Sequence, residues 1–525
     1  MTFKNLTDKQ KDYIKKIYKD NSKSWDERMD LLKSKFGVAE RTIRRWCSEG
    51  LELAEKGSVE PEVLQTAKKK KLNKQKKIFL ITSAQSATPV NKELLKNMEV
   101  YAKHINAEIL IIPFRYHNPT SIFSNEEKEN EWWDKSLIKY LTLNRHSLNK
   151  GISVLSDIKI QPTSTNPLQG LEGITGQHSS VIGHPRFELK TIPTLEGCRP
   201  KLMFTTGCVT MPNFGDTKNG KKGEFHFSSG FAIVEIKDSE TFFFRQVSAN
   251  KNGEFIDLYF HAKDGVISRE KDVEACVMGD IHVADCDPRV TDITLNNLFK
   301  KLKPKSVFLH DIISSNSISH HNTKDPFILH KKEVQGSNSL QKEIDEMIVW
   351  LKPFEKYNTY IVKSNHDIHI DRFLRENDFR SMTTYKNAIA YMELSLATLR
   401  GEAPNGAVPY IIKKHYPKMK CLNENDSVTI KGWLLSAHGH QGASGSRGSL
   451  SQFSKLSTRS ITAHSHCVGR IGGAISVGTS TFLRIGYNKS FSGWSNAHAI
   501  INSIGKTQII IFFHTKDGLE YTTLK

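Results

Sequence analysis

The sequence predicts an α/β protein preceded by a small helical module, on three observations. Apolar residues recur at helical spacing through the first 56 positions. From Ile78 a strand, an amphipathic helix and a second strand follow one another, the start of an α/β layer. From about Asp272 strand-like and helical stretches alternate to the end of the sequence, and short groups of Asp, Asn and His sit just past the strands.

Taken in order, Leu6 to Tyr18 carries Tyr13, Ile14 and Ile17 at helical spacing, opened by Thr7-Asp8 as an N-cap. Trp25 to Phe36 is a second helix, with Met29, Leu32 and Phe36 on one face. Gly37-Val38 turns the chain, and Glu40 to Cys47 is a short third helix bearing Arg41, Thr42, Arg44 and Arg45. Helix, glycine-containing turn and Arg-rich helix is the pattern of a helix-turn-helix. Val38, Ile43 and Trp46 would face its core and leave Arg41, Thr42, Arg44 and Arg45 for phosphates or base edges. A three-helix protein-contact module has the same pattern, so residues 1–56 are read as DNA-binding with that alternative beside it.

Residues 57–77 form a basic linker, in which Gly57 to Glu62 breaks the helix and Lys68, Lys69, Lys70 and Lys71 precede Lys74, Lys76 and Lys77. Such a run is expected to be flexible and to add phosphate contacts that salt weakens. Residues 78–270 are expected to be a central α/β domain that forms an oligomer interface or shapes a substrate channel. Its strands are expected at Ile78–Thr82, Glu108–Pro113, Phe231–Ile236 and Thr241–Val247, and a helix at Lys92–His104. Trp132-Trp133 is read as core or interface packing rather than a base-stacking pair. Gly215 to Lys222 reads G-x-x-x-x-G-K-K, close to a phosphate loop. It lacks the Ser/Thr that holds magnesium and is expected to have no clear helix after it, so nucleotide binding is not expected. Residues 271–525 are the expected catalytic domain.

Composition bounds the partners. With 38% apolar and 25% charged residues the 525-residue chain reads as soluble, and its apolar runs are far shorter than the roughly 20 residues a bilayer needs. No membrane partner is expected, and the charged amphipathic start argues for a cytoplasmic protein rather than a secreted one. The seven cysteines are scattered without a CxxC pair, against a disulfide framework or a zinc ribbon. The formal charge is +19, and residues 1–77 hold 21 Lys and Arg against 12 Asp and Glu, an excess that points to a polyanionic partner.

Five patches carry the chemistry: Asp280-Ile281-His282, Asp311, Asn365-His366-Asp367, His438-Gly439-His440 and His464-Ser465-His466. Three of them follow strand-like runs, at Val273–Met278, Ser306–Leu309 and Thr359–Val362. A site that cleaves phosphate esters with two metal ions needs carboxylate, amide oxygen and imidazole ligands. One carboxylate must bridge ions about 3.5–4 Å apart. Each patch alone is weak; their joint order is the signal.

In this order the patches resemble those of the calcineurin-like metallophosphoesterases, a superfamily that includes SbcD-type nucleases, phosphodiesterases and Ser/Thr phosphatases. The pattern DxH, GD, GNH(D/E), lone His, GHxH is matched between residue 273 and about 490. The resemblance implies a sandwich of β-sheets flanked by helices. It implies one metal held by Asp280, His282, Asp311 and His466, and another by Asp311, Asn365, His438 and His464, with Asp311 bridging. His440 is the alternative to His438. His366 would stand by the phosphate as general acid, oriented by Asp367. The implied cofactors are two divalent metal ions, manganese first, with iron, zinc or magnesium as alternatives. Three glycines of the pattern are replaced, by His310, Ser364 and Ala463. His310 either shapes the substrate pocket or packs sideways. With His320 and His321, and with Arg447 in the Gly/Ser-rich stretch Gly442 to Ser449, which is expected to be a mobile loop, it is a candidate substrate contact. His369 also lies near the site in sequence.

The strings Ile81 to Gln85 and Gly223 to His226 are similar to those of phage metallophosphoesterases, among them the early DNA-transfer nucleases of T5-type phages. Together these features predict a phage-encoded, manganese-dependent DNA nuclease working in the host cytoplasm, with homo-oligomerisation as a further expectation. It would hydrolyse phosphodiesters by in-line attack of a hydroxide bridging the two ions. A phosphatase or phosphodiesterase acting on nucleotides or phosphoproteins is the alternative. A DNA-binding regulatory protein with a structural metal site is the second.

Overall fold

The structure, a computed structural model, describes residues 6–18, 25–40, 42–43, 46, 66–73, 75–114, 132–198, 200–320, 325–381, 385–486 and 488–524. It is a mixed α/β fold. Helices Asp8–Tyr18 and Trp25–Phe36 stand where the periodicity places them. Ile14, Met29 and Leu32 are buried together, and Ile43 and Trp46 join the same core. Arg41, Arg44 and Arg45 lie outside the described residues; Thr42 is helical and half-buried.

Part of the basic run is packed rather than free chain. Residues 66–69 are helical and Ala67 is buried. Lys70 Nζ donates to the Lys139 carbonyl at 3.3 Å and stands 3.6 Å from a Glu108 carboxylate oxygen. Glu108 opens a strand, so the run is fastened to a sheet edge.

A six-stranded sheet runs in the order Lys420–Cys421, Asn358–Val362, Ser306–His310, Ala275–Val277, Ala497–Ile501, Thr507–Ile511. Its first four strands are parallel. Alternation divides each strand between two cores: Val307 and Leu309 pack with the helices, and Phe308 packs with the other sheets. A four-stranded sheet joins Glu108–Phe114, Ile78–Gln85, Gly230–Ile236 and Phe242–Ser248. Helix Lys92–His104 shares a core with it through Leu94, Met98 and Tyr101.

The ten-stranded sheet is the unexpected element. Strand Gly469–Ile471 pairs antiparallel with Glu188–Ile192, through Arg470↔Leu189 and Ile471↔Glu188. One core, with Ile81, Phe204, Val234, Phe308, Ile475 and Ile509 among its members, draws on all three sheets. The sheet therefore crosses position 270, where the sequence reading puts a domain boundary. Periodicity reports which face of a strand is apolar, not which distant strand it will pair with.

Two smaller differences have local causes. Helix Lys218–Phe225 forms where the sequence reading places none, capped by Thr217, whose side chain accepts from Gly220 N at 3.0 Å. That cap outweighs the two helix-weakening glycines. Gly442 to Ser449, read as a mobile loop, is a closed turn in which Gly442 N donates to Ser446 O at 2.7 Å and Gly448 N to His440 O at 3.0 Å. Trp133 is buried and donates its indole N–H to Ala84 O at 3.2 Å, as core packing requires. Among the described residues no helix is long and apolar enough to cross a membrane.

A buried charge clamp joins the layers. Arg245 pairs with Glu235 and with Asp257, to which its Nη2 donates at 2.7 Å. Asp257 also accepts from Tyr101 at 2.6 Å and Gln508 at 2.7 Å, while Glu235 accepts from Thr522 and Thr523. Truncating the cation strands two buried carboxylates. Arg245→Ala should lower the unfolding free energy by about 3–5 kcal/mol in urea denaturation; a loss within error would mean that water reaches the clamp.

Candidate metal centre

The parallel strands Ala275–Val277, Ser306–His310 and Asn358–Val362 end side by side, and Asp280, Asp311 and Asn365 lie just beyond them. The ten-stranded sheet adds His438 beyond Trp433–Leu434, and His464 and His466 beyond Arg459–Thr462. The backbone bends sharply to aim these groups. His282, Asp311, His464 and His466 have φ of 44°, 49°, 68° and 56°. Each such left-handed, non-glycine residue costs about 1–3 kcal/mol and persists only where its surroundings impose it. Close packing contributes: a Cβ on Gly279 would stand 2.7 Å from the Ala497 carbonyl oxygen.

One ligand atom from each of Asp280, His282, Asp311 and His466 lies within 4.8 Å of the others, and all four residues are buried. His282 Nε2 is 3.2 Å from His466 Nε2 and 3.4 Å from Asp311 Oδ2, and His466 Nε2 is 3.0 Å from Asp280 Oδ2. Atoms bound at 2.0–2.2 Å to one ion stand about 3.0–3.5 Å apart, so these spacings suit a common cation. Asp280 Oδ1 and Asp311 Oδ1 are buried without a hydrogen-bond partner among the described residues, and Asp280 Oδ2 has only His466 Nε2 beside it. Orphaned carboxylate oxygens among imidazoles fit a divalent cation and little else.

A second group adjoins the first through Asp311. His438 Nε2 lies 3.4 Å from Asp311 Oδ2 and 3.0 Å from Asn365 Oδ1, and His438 Nδ1 lies 3.7 Å from Asp280 Oδ1. The His464 ring centre is 5.2 Å from that of His438. His440 adjoins the same group, 5.4 Å from the His438 ring and 6.1 Å from the His464 ring. Asp311 thus faces ligand-type atoms on both sides.

Burial alone would keep these carboxyls neutral. Instead His366, His438 and His282 hold Asp311 well below the usual carboxylate range, and His438 and His466 lower Asp280. His438 moves the other way: burial depresses it, but Asp311 and Asp280 raise it to about 8. Burial pushes His282 down to about 3, and burial with His438 nearby pushes His464 down to about 4.

The remaining candidates divide. The His366 ring lies 4.6 Å from the His282 ring, and its Nδ1–H donates to the Ser314 carbonyl at 2.8 Å. The expected orienting partner, Asp367, instead accepts from Ser364 N at 3.0 Å. Asp367 begins helix Asp367–Glu376, and the turn of the helix carries its side chain away from its neighbour's ring. Burial and Asp311 raise Asp367 to about 6. His310 is buried inside the site, with Nδ1 3.4 Å from His438 Nδ1. His320 stands against His369 at 5.2 Å, and His369 against His366 at 4.8 Å. His321 lies outside the described residues, and Arg447 is exposed on its turn. Lys69 and Lys71 flank Lys70 and are exposed. Two neighbours escaped the sequence reading. The Ser314 carbonyl is backbone and carries no residue signal, and Trp494, 4.2 Å from the His466 ring, is distant in sequence.

The chain is similar to Protein A1 of Escherichia phage T5, with 29% identity over 469 residues that cover 84% of this chain and 83% of the relative. That similarity supports a phage origin. No family model matches the chain, and no solved structure matches it.

Metal ligands must shed their protons to bind. Because His438 is raised to about 8, a cation competes with a proton there below that pH. The apparent Mn²⁺ affinity of the full chain should therefore climb as pH rises towards about 8, then level off. Calorimetric titration across that range checks this, and an affinity flat with pH would remove His438 from the ligand set.

Proposed function

We propose that the chain is a two-metal phosphodiesterase, and specifically a manganese-dependent DNA nuclease of phage origin. The observation that carries the reading is Asp311, buried with one oxygen unpartnered between two groups of ligand-type side chains. The phage relative and the basic N-terminal segment support the choice of DNA as substrate. The packed β-sheets with outer helices are compatible with the metallophosphoesterase sandwich.

Bound at this site, two divalent cations supply an activated water and neutralise the phosphate. The chain's own residues do the rest. Asp280, His282, Asp311 and His466 would hold one ion, and Asp311, Asn365, His438 and His464 would hold the other. His366 is the general acid. Its Nδ1–H stays bonded to Ser314 O, so in the protonated ring Nε2–H is left to donate to the leaving alkoxide. That bond fixes the ring plane, the task the sequence reading gives to Asp367. The basic N-terminal segment, with Arg41, Arg44 and Arg45 in its sequence, recruits the DNA.

Purified protein should nick or linearise supercoiled plasmid with Mn²⁺, and not with EDTA or after Asp311→Ala. Hydrolysis of mono-ester model substrates in preference to bis-esters, with no plasmid cleavage, would favour the phosphatase reading. His366→Ala should keep Mn²⁺ affinity while turnover drops by about 100-fold or more, since it removes an acid and no ligand; loss of bound metal would contradict the assignment.

Deleting residues 1–56 should weaken duplex binding and flatten its salt dependence while sparing bis-ester hydrolysis. Equal loss of hydrolysis would make the N-terminal helices part of the catalytic fold.

A further inference from the structure

We propose that the turn at Gly472–Gly473 carries a second phosphate-binding site, built by Arg186 and His226 and separate from the metal centre. The turn links strands Gly469–Ile471 and Ala474–Ser476. The second strand runs from the turn towards Gly478, whose carbonyl accepts from Asp280 N, so the strand separates the two places.

The geometry is that of an oxyanion cradle. A Cβ on Gly472 would stand 3.3 Å from Arg186 Nη2, 3.5 Å from Arg186 Nε and 3.6 Å from His226 Nδ1. Glycine leaves that point open, and three nitrogens face it. Nε and Nη2 form the side edge of a guanidinium, the edge that takes a phosphate oxygen pair bidentately. Arg186 is 5% exposed, and its Nε has no hydrogen-bond partner among the described residues. Its Nη1 is occupied by the Thr165 carbonyl, which anchors the group.

The charge at this turn is also only partly compensated. Among the described residues neither Arg186 nor Arg470 has an ion pair within 4.0 Å. Arg470 is buried, donates Nε–H to Gly472 O at 3.2 Å and lies over the Phe187 ring. Glu188, two residues beyond Arg186, is raised by burial to about 7, so it offsets the guanidinium only in part near neutral pH. Burial, Arg186 and Lys222 lower His226 to about 4, so the ring is neutral, and in its Nδ1–H tautomer it can donate into the cradle. A buried arginine without a partner is costly, and a dianionic phosphate relieves that cost. His226 follows helix Lys218–Phe225, so the stretch resembling a phosphate loop does adjoin phosphate chemistry, through the far end of its helix.

The test uses the full chain in EDTA, so that phosphate at the metal centre does not contribute and the nuclease reading can stand or fall separately. Inorganic phosphate is titrated against chloride of equal ionic strength, read by thermal shift and calorimetry. Wild type should bind. Gly472→Ala, which sets a methyl in the cradle, should weaken binding about 10-fold or more. His226→Ala, at a half-exposed ring, should weaken it several-fold without disturbing the fold. A short DNA duplex is the second arm. Duplex affinity falling together with phosphate affinity in both variants assigns the site to the DNA backbone. Phosphate affinity falling alone assigns it to free phosphate or a nucleotide. No binding by wild type, or equal binding by all three proteins, overturns the site.

Discussion

Two buried carboxylates at the ends of neighbouring strands are the constraint on which the rest of this structure depends. Asp280 and Asp311 follow the parallel strands Ala275–Val277 and Ser306–His310, and both are almost fully buried. Like charges so placed repel, and each loses its hydration. Imidazoles offset part of this, as the lowered carboxyls and the raised His438 record. They do not satisfy every oxygen: Asp280 Oδ1 and Asp311 Oδ1 have no hydrogen-bond partner among the described residues. A cation between the carboxylates would supply what the side chains cannot, and its affinity would then add to the folding free energy. The four left-handed ligand residues fit the same account, because strain tolerated at a site is repaid by the bonds it permits.

The ten-stranded sheet determines how that site is held. His464 and His466 follow strand Arg459–Thr462, which pairs with Ala474–Ser476 and, through Gly469–Ile471, with Glu188–Ile192. A shift of the central region would propagate along these hydrogen bonds to two candidate ligand histidines. Residues 78–270 are thus part of the scaffold of the centre whatever further role they have. The Arg245 clamp reinforces this, since its partners Glu235 and Asp257 reach Gln508, Thr522 and Thr523 of the second half.

The sequence announced what is local and hid what is not. Helix Lys92–His104 and strands Asn358–Val362 and Ser306–His310 follow from apolar spacing, and the ligand types follow from their places after strands. The joining of Glu188–Ile192 to Gly469–Ile471 leaves no trace in spacing, because any apolar edge would serve. His310 was visible as a bulky residue where the family pattern has glycine, but its place against His438 depends on how two strands face one another. The error over Asp367 is of another kind. Adjacency in sequence suggested contact, yet a helix starting at Asp367 separates the two side chains. The His366 ring is bonded to a backbone carbonyl instead, and carbonyls are invisible in a sequence.

Two buried arginines show how burial separates structure from function. Arg245 is enclosed by two carboxylates that are themselves bonded to Tyr101, Gln508, Thr522 and Thr523, so every charge has its complement inside the protein. Such a group has nothing left to offer a ligand. Arg186 is as deeply placed, but its one visible anchor is the neutral carbonyl of Thr165, and Nε is left facing a glycine. A guanidinium cannot relieve that imbalance by losing its proton, since its basicity is too high. Anion or water must therefore complete it. The choice between them turns on charge: Arg470 beside the same turn, likewise without an ion pair among the described residues, raises the local potential and favours the anion.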